Sequence, residues 1–456
     1  MIIFITTGCG KLNLHNRGEK IFKDAEVTSL DQEVSSKRVI LSQAKKLEKW
    51  PASDFYAEGG GIVNNNFTNI YDIKKVIPMR RKTSYRALWK KYKRFFDDNH
   101  KPYTGSGKLF LNAPIFFDKK IAFVTPSGTL SVMNTDNNYE VEWEFPLQFV
   151  IGKDIKKTDQ VSLSYGDDKI FIATNNGYII ALDSENGDLL WYRQKNFPIR
   201  APLKYAIGRI YGSSSIGHFF IMCSESGEDL ISHNTASINK ITKTHPSVLI
   251  GNSVVVAGYA NGNINAFDLQ TGAIVWVQDL SQATQEGFSV MSDVDFTPIY
   301  IDGLILAGNI NGGIYLIKER DGKIVWSKSI STSSQIIADG EFAFFISAIG
   351  ELVCMQWDIG AIKWTIKLQN HTTIRLPRYI NDNQMTKLVS ITNRGPMLVG
   401  GKLLIFTNLG KMIVIDPNNG RILQSFIIPY SITDPIAVDG KIFFLSYNVN
   451  KLFVMY

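Results

Sequence analysis

Short apolar segments separated by glycine-containing turns recur along the chain from about residue 110. Residues 178–182 and 304–307 are typical, because each segment holds four or five mainly apolar residues directly after a turn that contains glycine. Runs of this length that are bounded by turn residues favour strands over helices. The pattern therefore predicts an all-β protein whose strands are joined by tight turns.

The turns follow a fixed spacing. Counted from Gly177, an aspartate follows at +6, a second glycine at +10 (Gly187) and a tryptophan at +14 (Trp191), and the same spacing begins at Gly262. Asn-Gly pairs precede several of these strands and favour two-residue hairpin turns, which need a positive φ. Each unit is therefore predicted to be a four-stranded antiparallel sheet. The tryptophans at or near +14 are expected to pack against a neighbouring unit: Trp143, Trp191, Trp276, Trp326 and Trp364.

The number of units indicates the architecture. Eight first-turn positions can be aligned, separated by 38 to 60 residues: Gly128, Gly177, Gly217, Gly262, Gly312, Gly350, Gly410 and Asn450. This spacing is in the range of propeller blades, and a ring of blades protects the edges of its sheets. We therefore predict an eight-bladed β-propeller of four-stranded antiparallel blades.

Closure of the ring needs one more strand, because the last unit has only six residues after Asn450. We expect residues 85–94 (YRALWKKYKR) to supply it as an N-terminal strand, with Trp89 placed like the tryptophans of the repeat. The predicted division of the chain is then a lipoprotein signal remnant over 1–9, an extended basic leader over 10–83 and the propeller over 84–456.

The first nine residues, MIIFITTGC, resemble the end of a bacterial lipoprotein signal, in which the cysteine becomes the lipidated N-terminus. We expect Cys9 to carry a lipid anchor. The alternative is an ordinary N-terminal strand with a buried thiol, since the apolar run is short and no basic region precedes it.

The net charge of +7 is unevenly distributed. Residues 1–104 hold 20 basic and 11 acidic residues, whereas residues 105–456 hold 29 and 31. A propeller that is close to neutral with a basic leader does not indicate a nucleic-acid partner. The stretch 74–94, with ten basic residues and no acidic one, fits either a contact with anionic lipid or a solvated linker.

The sequence offers little catalytic chemistry. The six histidines have no metal-binding spacing, and the three cysteines (Cys9, Cys223 and Cys354) form no CxxC pair. Residues 105–108 (GSGK) look like part of a phosphate-binding loop, but Leu109 follows where that loop needs Ser or Thr. We therefore expect no catalytic residue, no cofactor-binding residue and no metal ligand.

Two stretches carry a family resemblance. Residues 266–276 (AFDLQTGAIVW) match the tryptophan-docking repeat of quinoprotein propellers, which indicates the fold more than the function. Residues 279–302 (DLSQATQEGFSVMSDVDFTPIYID) resemble the BamB family, the propeller lipoproteins of the outer-membrane β-barrel assembly (BAM) machinery.

The BamB resemblance implies a non-enzymatic scaffold anchored at the periplasmic face of the outer membrane of a Gram-negative bacterium. Its implied partners are the POTRA region of BamA, other BAM subunits and unfolded barrel precursors. Asp293 and Asp295 match the acidic residues that dock BamA in that family. A second family contact is not expected, because residues 238–242 depart from its pattern.

Two alternatives remain open from the sequence. The quinoprotein repeat allows a PQQ-dependent dehydrogenase, which would need a Ca²⁺ site of carboxylate and amide oxygens in the channel. The adjacent cysteine pair of the alcohol dehydrogenases of that family is absent. The other alternative is a propeller adaptor unconnected with barrel assembly.

Overall fold

A computed structural model provides the fold. It describes residues 27–28, 31–53, 73–79, 82–96, 110–111, 113–152, 160–199, 201–214, 217–234, 248–259, 262–280, 297–309, 313–369, 371–375, 386–429, 432–446 and 449–456.

Six short elements precede the repeat. They are β1 (Val27–Thr28), α1 (Gln32–Ser35), β2 (Ile73–Pro78), α2 (Tyr85–Tyr92), a 3₁₀ turn (Lys93–Phe95) and β3 (Phe110–Leu111).

The first four blades follow in chain order, each with its innermost strand first. Blade 1 comprises β4 (Ile115–Phe117), β5 (Lys120–Val124), β6 (Thr129–Asn134) and β7 (Glu140–Pro146), and α3 (Gln148–Ile151) follows it. Blade 2 comprises β8 (Gln160–Gly166), β9 (Lys169–Thr174), β10 (Tyr178–Asp183) and β11 (Leu189–Gln194). Blade 3 comprises β12 (Lys204–Ala206), β13 (Arg209–Ser213), β14 (His218–Cys223) and β15 (Asp229–Asn234). Blade 4 comprises β16 (Leu249–Ile250), β17 (Val254–Gly258), β18 (Asn263–Asp268) and β19 (Ile274–Asp279).

The remaining blades repeat the arrangement. Blade 5 comprises β20 (Ile299–Ile301), β21 (Leu304–Gly308), β22 (Ile314–Lys318) and β23 (Ile324–Lys328). Blade 6 comprises β24 (Ile337–Asp339), β25 (Phe342–Ile346), β26 (Glu351–Gln356) and β27 (Ala361–Lys367), and a hairpin of β28 (His371–Arg375) and β29 (Thr386–Ser390) follows it. Blade 7 comprises β30 (Asn393–Val399), β31 (Lys402–Thr407), β32 (Lys411–Ile415) and β33 (Ile422–Ile427). Blade 8 comprises β34 (Ile436–Val438), β35 (Lys441–Ser446) and β36 (Lys451–Met455). The predicted eight-bladed β-propeller is confirmed.

An N-terminal strand does complete blade 8, but it is not the predicted one. Strand β2 pairs antiparallel with β36, from Ile73 opposite Met455 to Pro78 opposite Lys451. The ring therefore begins upstream of residue 84, and the expectation that residues 85–94 close it was wrong.

The segment predicted as the closing strand is instead the helix α2. Its apolar residues Tyr85, Leu88, Trp89 and Tyr92 recur with the 3.6-residue period of a helix, and the side chain of Ser84 caps its first turn by accepting from Ala87 N. The Trp89 ring packs edge-on against Phe149 with 5.2 Å between ring centroids. The assignment of Trp89 to blade docking was therefore wrong, because a helical residue cannot occupy the strand position of the repeat.

The glycines of the repeat occupy turns that need them. In blade 2, the φ angle is +82° at Gly177, in the first turn of the repeat (β9 to β10), and +74° at Gly187, in its second turn (β10 to β11). In blade 8, Asn450 occupies the position of Gly177 and adopts φ +49°. Positive φ is accessible to glycine and, less readily, to asparagine, which explains the residue types at these positions.

The tryptophans of the repeat join successive blades. Each indole Nε1 donates to a backbone carbonyl on the next blade: Trp143 to Ser184, Trp191 to Ser224, Trp276 to Glu319, Trp326 to Asp358 and Trp364 to Pro417. The ring lies against the second-turn glycine of that blade, so that a Cβ added to Gly187 would be 2.3 Å from Trp143. The indole thus fills a space that only glycine leaves open.

Two glycines with similar positive φ angles allow the effect of indole packing on stability to be measured apart from the effect of the turn conformation. Gly187 and Gly208 have φ +74° and +70°, but nothing lies within 4 Å of a Cβ added at Gly208. We expect Gly208→Ala to destabilise the fold by about 1 kcal/mol of backbone strain. We expect Gly187→Ala to cost about 1–3 kcal/mol more, because the methyl group collides with Trp143. Urea unfolding of both variants measures the difference, and equal losses would contradict the docking role of the indole.

The apolar core lies within and between the blades. The rings of Phe219 in blade 3 and Phe267 in blade 4 stack with 3.9 Å between their centroids. The ring centroids of Phe116 in blade 1 and Phe443 in blade 8 are 5.8 Å apart. All four side chains are fully buried. Because of such contacts, the apolar side chains of one blade are buried only when the neighbouring blade is folded.

Candidate partner-binding loop and leader path

The two acidic residues predicted to bind a partner, Asp293 and Asp295, lie outside the described residues, in the connection 281–296 between blades 4 and 5. The predicted anchor Cys9 also lies outside them. The structure does describe where the connection begins and ends.

Both ends of the connection 281–296 are attached to the ring. Leu280 is 1% exposed, its N–H donates to Gly262 O at 3.0 Å, and its carbonyl accepts from Tyr315 Oη at 3.0 Å. At the other end, Thr297 N donates to Gln335 Oε1 at 3.1 Å, and Gln335 Nε2 donates back to Thr297 O. The loop that carries the acidic pair therefore starts and ends at fixed points.

The two described ends of the connection lie on one particular face of the ring. Strand β19 leaves the turn at residues 269–273 and runs to Leu280, and β20 runs from Thr297 towards the turn at residues 302–303. Because these strands are antiparallel to their neighbours, the two turns share one face and the connection emerges on the other. We call the first the hairpin face, which carries the turns 118–119, 167–168, 302–303 and 439–440, and the second the connection face.

The leader crosses the hairpin face, beginning at blade 6. Strand β1 pairs with β27, and Asp31 exchanges two hydrogen bonds with Ile362: its N–H donates to Ile362 O and its carboxylate accepts from Ile362 N. The buried Lys363 Nζ donates to the carbonyls of Ser35 and Lys37. These bonds satisfy a lysine that is only 4% exposed.

The leader then runs inward over blades 7, 6 and 8. Val39 N donates to Asn418 Oδ1 at 3.0 Å, and Ser42 N donates to Asp339 Oδ2 at 2.9 Å. Further on, Leu47 O accepts from Asp439 N at 2.8 Å. Every one of these partners lies in or beside a turn of the hairpin face.

Asp439 binds the leader through charge as well. Its Oδ1 lies 2.7 Å from both Lys46 Nζ and Lys119 Nζ, and its Oδ2 lies 3.3 Å from Lys441 Nζ. Burial alone would raise the pKa of the Asp439 carboxyl, but the hydrogen bonds from Lys119 and Lys46 and the charge of Lys441 outweigh it and lower the pKa to about 2. The carboxylate is therefore ionised wherever the protein is folded near neutral pH.

The leader finally enters the centre of the ring and pairs with innermost strands. Trp50 and Phe116 of β4 exchange two backbone hydrogen bonds of 2.7 and 2.9 Å. Ser53 N donates to Leu163 O of β8 at 2.9 Å, and Ala52 lies opposite Ser164. Strand β3 also pairs with the inner edge of β8. The inner edges of blades 1 and 2 are thus covered by the chain itself.

A cavity of about 450 Å³ remains beside the leader. It is lined by leader residues on one side and by innermost strands of blades 2 to 5 on the other: Lys49, Pro51, Ala52, Tyr165, Gly166, Asp167, Leu203, Lys204, Tyr205, Val248, Leu249, Ile250 and Thr297. Lys49 Nζ is 3.1 Å from Asp118 Oδ1, and Tyr165 Oη donates to Asp118 Oδ2. The lining is therefore mainly apolar, with its charged groups partly paired.

Sequence reasoning did not find the leader path. The only local signal was the Trp50-Pro51 pair, an apolar side chain inside a polar stretch. Trp50 is 2% exposed in the structure. Its burial depends on Phe116, more than sixty residues later, and no local pattern predicts that contact.

Metal sites, reactive thiols and membrane-spanning helices each need particular residues among those that the structure describes. No three His, Cys, Asp or Glu side chains among them are grouped as metal ligands would be. Cys354 is buried, which raises the pKa of its thiol, and Cys223 is partly exposed. No helix in the described part of the chain is long and apolar enough to span a membrane.

Comparison with known proteins agrees with the geometry. A family model described as outer membrane protein assembly factor BamB matches residues 126–366, more than half of the chain. The BamB proteins of Salmonella typhimurium and Escherichia coli are 21% and 22% identical to the chain, over 74% of its length and 83% of theirs.

Solved structures support the same fold. BamB from Moraxella catarrhalis superimposes with a TM-score of 0.59 at 18% identity, covering 76% of this chain and 96% of its own. A europium-containing methanol dehydrogenase gives a TM-score of 0.58 at 10% identity, covering 85% of this chain and 86% of its own. The structural likeness by itself thus extends to both families, whereas the family model and the curated relatives point to one. The chain belongs to the BamB family of outer membrane protein assembly factors.

Proposed function

We propose that this chain is a non-enzymatic scaffold of outer-membrane β-barrel assembly. In this proposal, Asp293 and Asp295 dock the POTRA region of BamA, and the ring helps to present unfolded barrel precursors to the BAM complex. Cys9 carries a lipid that holds the protein at the periplasmic face of the outer membrane.

The observation that carries the docking proposal is the attachment of the connection 281–296. At one end, the buried Leu280 is hydrogen-bonded to blades 4 and 5, and at the other end the buried Thr297 is hydrogen-bonded to Gln335, in the segment that leads into blade 6. Its residues 292–298 have the SDVDFTP sequence by which the chain resembles its family. A loop held at both ends by a rigid ring presents its carboxylates within a limited volume, which lowers the entropic cost of binding.

The chemistry of the contact follows from the residue types. Two carboxylates separated by one residue accept hydrogen bonds from basic side chains or from backbone N–H groups of a partner. Bonds to ionised acceptors are shorter and about twice as strong as neutral ones. The leader occupies the hairpin face, so the connection face is the side of the ring that this proposal assigns to BamA.

The lipid anchor is compatible with the path of the leader. Seventeen residues lie between Cys9 and Val27, the first described residue, which pairs with the outer strand of blade 6. An extended chain of that length spans at most about 60 Å. The ring is then tethered to the membrane surface without being inserted into it.

The alternative is a PQQ-dependent dehydrogenase, and the residues at the centre of the ring do not fit it. Trp50 and Ala52 pair with the inner strands of blades 1 and 2, so the leader occupies part of the centre of the ring, where a channel-bound quinone would bind. Among the described residues that line the cavity beside them, Asp167 is the one carboxylate, whereas Ca²⁺ takes six to eight oxygen ligands.

The docking residues are tested by the double variant Asp293→Ala/Asp295→Ala, expressed as the full lipidated chain. We expect BamA to co-purify with the wild type from detergent-solubilised membranes. With the variant, the amount of BamA recovered should fall at least tenfold, because the lost charge-assisted hydrogen bonds contribute about 1.5–3 kcal/mol each. The melting temperature should not change.

The matched control removes two carboxylates from the hairpin face. Glu185 and Glu341 are both exposed, and Glu185→Ala/Glu341→Ala makes the same change in net charge. We expect this control to retain BamA. Full retention by the Asp293/Asp295 variant would refute the assigned site, and alcohol-dependent reduction of added PQQ in the presence of Ca²⁺ would favour the dehydrogenase.

A further inference from the structure

A basic segment of the chain lies on the outer rim of blades 8 and 1. Strand β2 and helix α2 are adjacent there, and residues 74–94 contain ten basic residues and no acidic one. Among the described residues, seven of the ten have exposed side chains, and four of these make up what we call the basic rim: Lys82, Arg86, Lys90 and Lys93.

Helix α2 orients this charge outward. Arg86, Lys90 and Lys93 are spaced by four and three residues and therefore share one face of the helical stretch. The opposite face holds Leu88 and Tyr92, which are 4% and 0% exposed. Because the apolar face is packed against blade 1, the basic face is turned to solvent.

The helix is firmly attached to the ring. Tyr92 Oη donates to Glu144 O of β7 at 2.9 Å, and its ring contacts Phe145 at 4.9 Å. Lys91 Nζ donates to Asn186 O at 2.6 Å, and Arg94 pairs with Asp188 at 2.6 Å. The helix that carries most of the basic rim is therefore held in a fixed position on the ring.

Two carboxylates close to helix α2 already accept hydrogen bonds. Glu144 accepts from the backbone N–H groups of Lys82 and Thr83, and Asp188 accepts from Arg94. Within the described part of the chain, no carboxylate lies within ion-pair distance of the four side chains of the basic rim. Their charge is thus available to an external anion.

We propose that the basic rim docks on an anionic phospholipid surface. An extended, one-signed basic face lacks the alternating charges expected for a specific salt-bridged protein interface, and it suits a surface of uniform negative charge. Half-buried aromatic side chains lie beside it at Trp89, Phe95 and Phe96, a composition typical of helices that rest at a membrane interface.

The position of the rim in the ring is consistent with this role. Helix α2, which adjoins the whole basic rim, packs on blade 1 and contacts blade 2. In a ring of eight blades, blade 1 is opposite blade 5, where the connection 281–296 ends. A ring that rests on the membrane through the basic rim therefore directs that connection away from the surface. The inference does not depend on the proposed contact with BamA.

The test measures binding to lipid vesicles in the absence of other proteins. The full chain carries Cys9→Ser, so that no acyl chain contributes, and is sedimented with phosphatidylcholine vesicles that contain or lack phosphatidylglycerol. We expect binding only to the anionic vesicles, weakened by added salt. Each basic residue near such a surface contributes about fivefold to partitioning, so Arg86→Gln/Lys90→Gln/Lys93→Gln should lower it about a hundredfold.

A matched variant removes the same charge from distant blades. Lys318, Arg320 and Lys367 are exposed in blades 5 and 6, and their replacement by glutamine should leave vesicle binding within about threefold of the parent chain. Equal losses in the two triple variants, or equal binding to neutral vesicles, would overturn the proposal. Binding to polyglutamate without binding to anionic vesicles would also overturn it and would indicate an acidic protein instead.

Discussion

Ending the chain after Asn450 should abolish the folded state of the propeller. The change removes β36, which pairs with β35 on one side and with the closing strand β2 on the other. Four buried side chains are lost: Leu452, Phe453, Val454 and Met455. At about 1.5–3 kcal/mol for each buried apolar side chain, the loss of about 6–12 kcal/mol is comparable to the whole stability of an ordinary domain.

The measurement is a thermal melt followed by near-ultraviolet circular dichroism, together with the soluble yield. Removing only Tyr456, which is 40% exposed and follows the last strand, is the control and should leave the melt unchanged. A protein that lacks residues 451–456 and still melts cooperatively near the midpoint of the full chain would contradict closure of the ring through β2 and β36.

The second large effect is expected for Trp50→Ala, which should lower the free energy of unfolding by about 3–5 kcal/mol. The indole is 2% exposed and belongs to the same apolar cluster as Phe116 and Phe443. Its removal leaves a cavity between the leader and blades 1 and 8. We also expect faster proteolytic cleavage of the leader, because the hydrogen bonds to the inner strands are then less well held.

The control for Trp50→Ala lies in the same leader. Ile40 is 74% exposed, and Ile40→Ala should change stability by less than about 0.5 kcal/mol. Denaturant unfolding and timed proteolysis of both variants measure the two effects. Equal stability of the Trp50 and Ile40 variants would contradict the insertion of the leader into the centre of the ring.

The repeat could be predicted because its signals are local. Asn-Gly and Thr-Gly turns, short apolar strands and the fixed distance from glycine to tryptophan all lie within one blade. Gly187 and Gly272 adopt the positive φ that this turn requires. Counting such units gave the number of blades without any knowledge of long-range contacts.

The closing strand was misplaced for a physical reason. Residues 85–94 contain a tryptophan and match the length of a strand, but their apolar positions follow the helical period. Strand β2 reads IKKVIP, with exposed and half-buried residues in alternation, and its pairing with β36 is a contact between opposite ends of the chain. The helical period of residues 85–94 and the alternation in β2 distinguish helix from strand. The presence of Trp89 in the first segment does not.

The leader path could not be predicted, because its partners are distant. Lys46 and Asp439 are almost four hundred residues apart in sequence, and Trp50 pairs with a strand of blade 1. A lysine and a tryptophan in a polar stretch do not reveal such partners. The acidic pair, by contrast, was identified through family resemblance, and the structure adds the fixed ends of the connection that carries it.

The docking of BamA is tested most directly by a calorimetric titration of the purified full chain with the POTRA region of BamA from the same organism. We predict saturable binding that weakens with added salt and with Asp293→Ala/Asp295→Ala, while Glu185→Ala/Glu341→Ala binds like the wild type. Absence of binding by a correctly folded wild-type chain would contradict the assignment of this propeller as a scaffold that holds BamA.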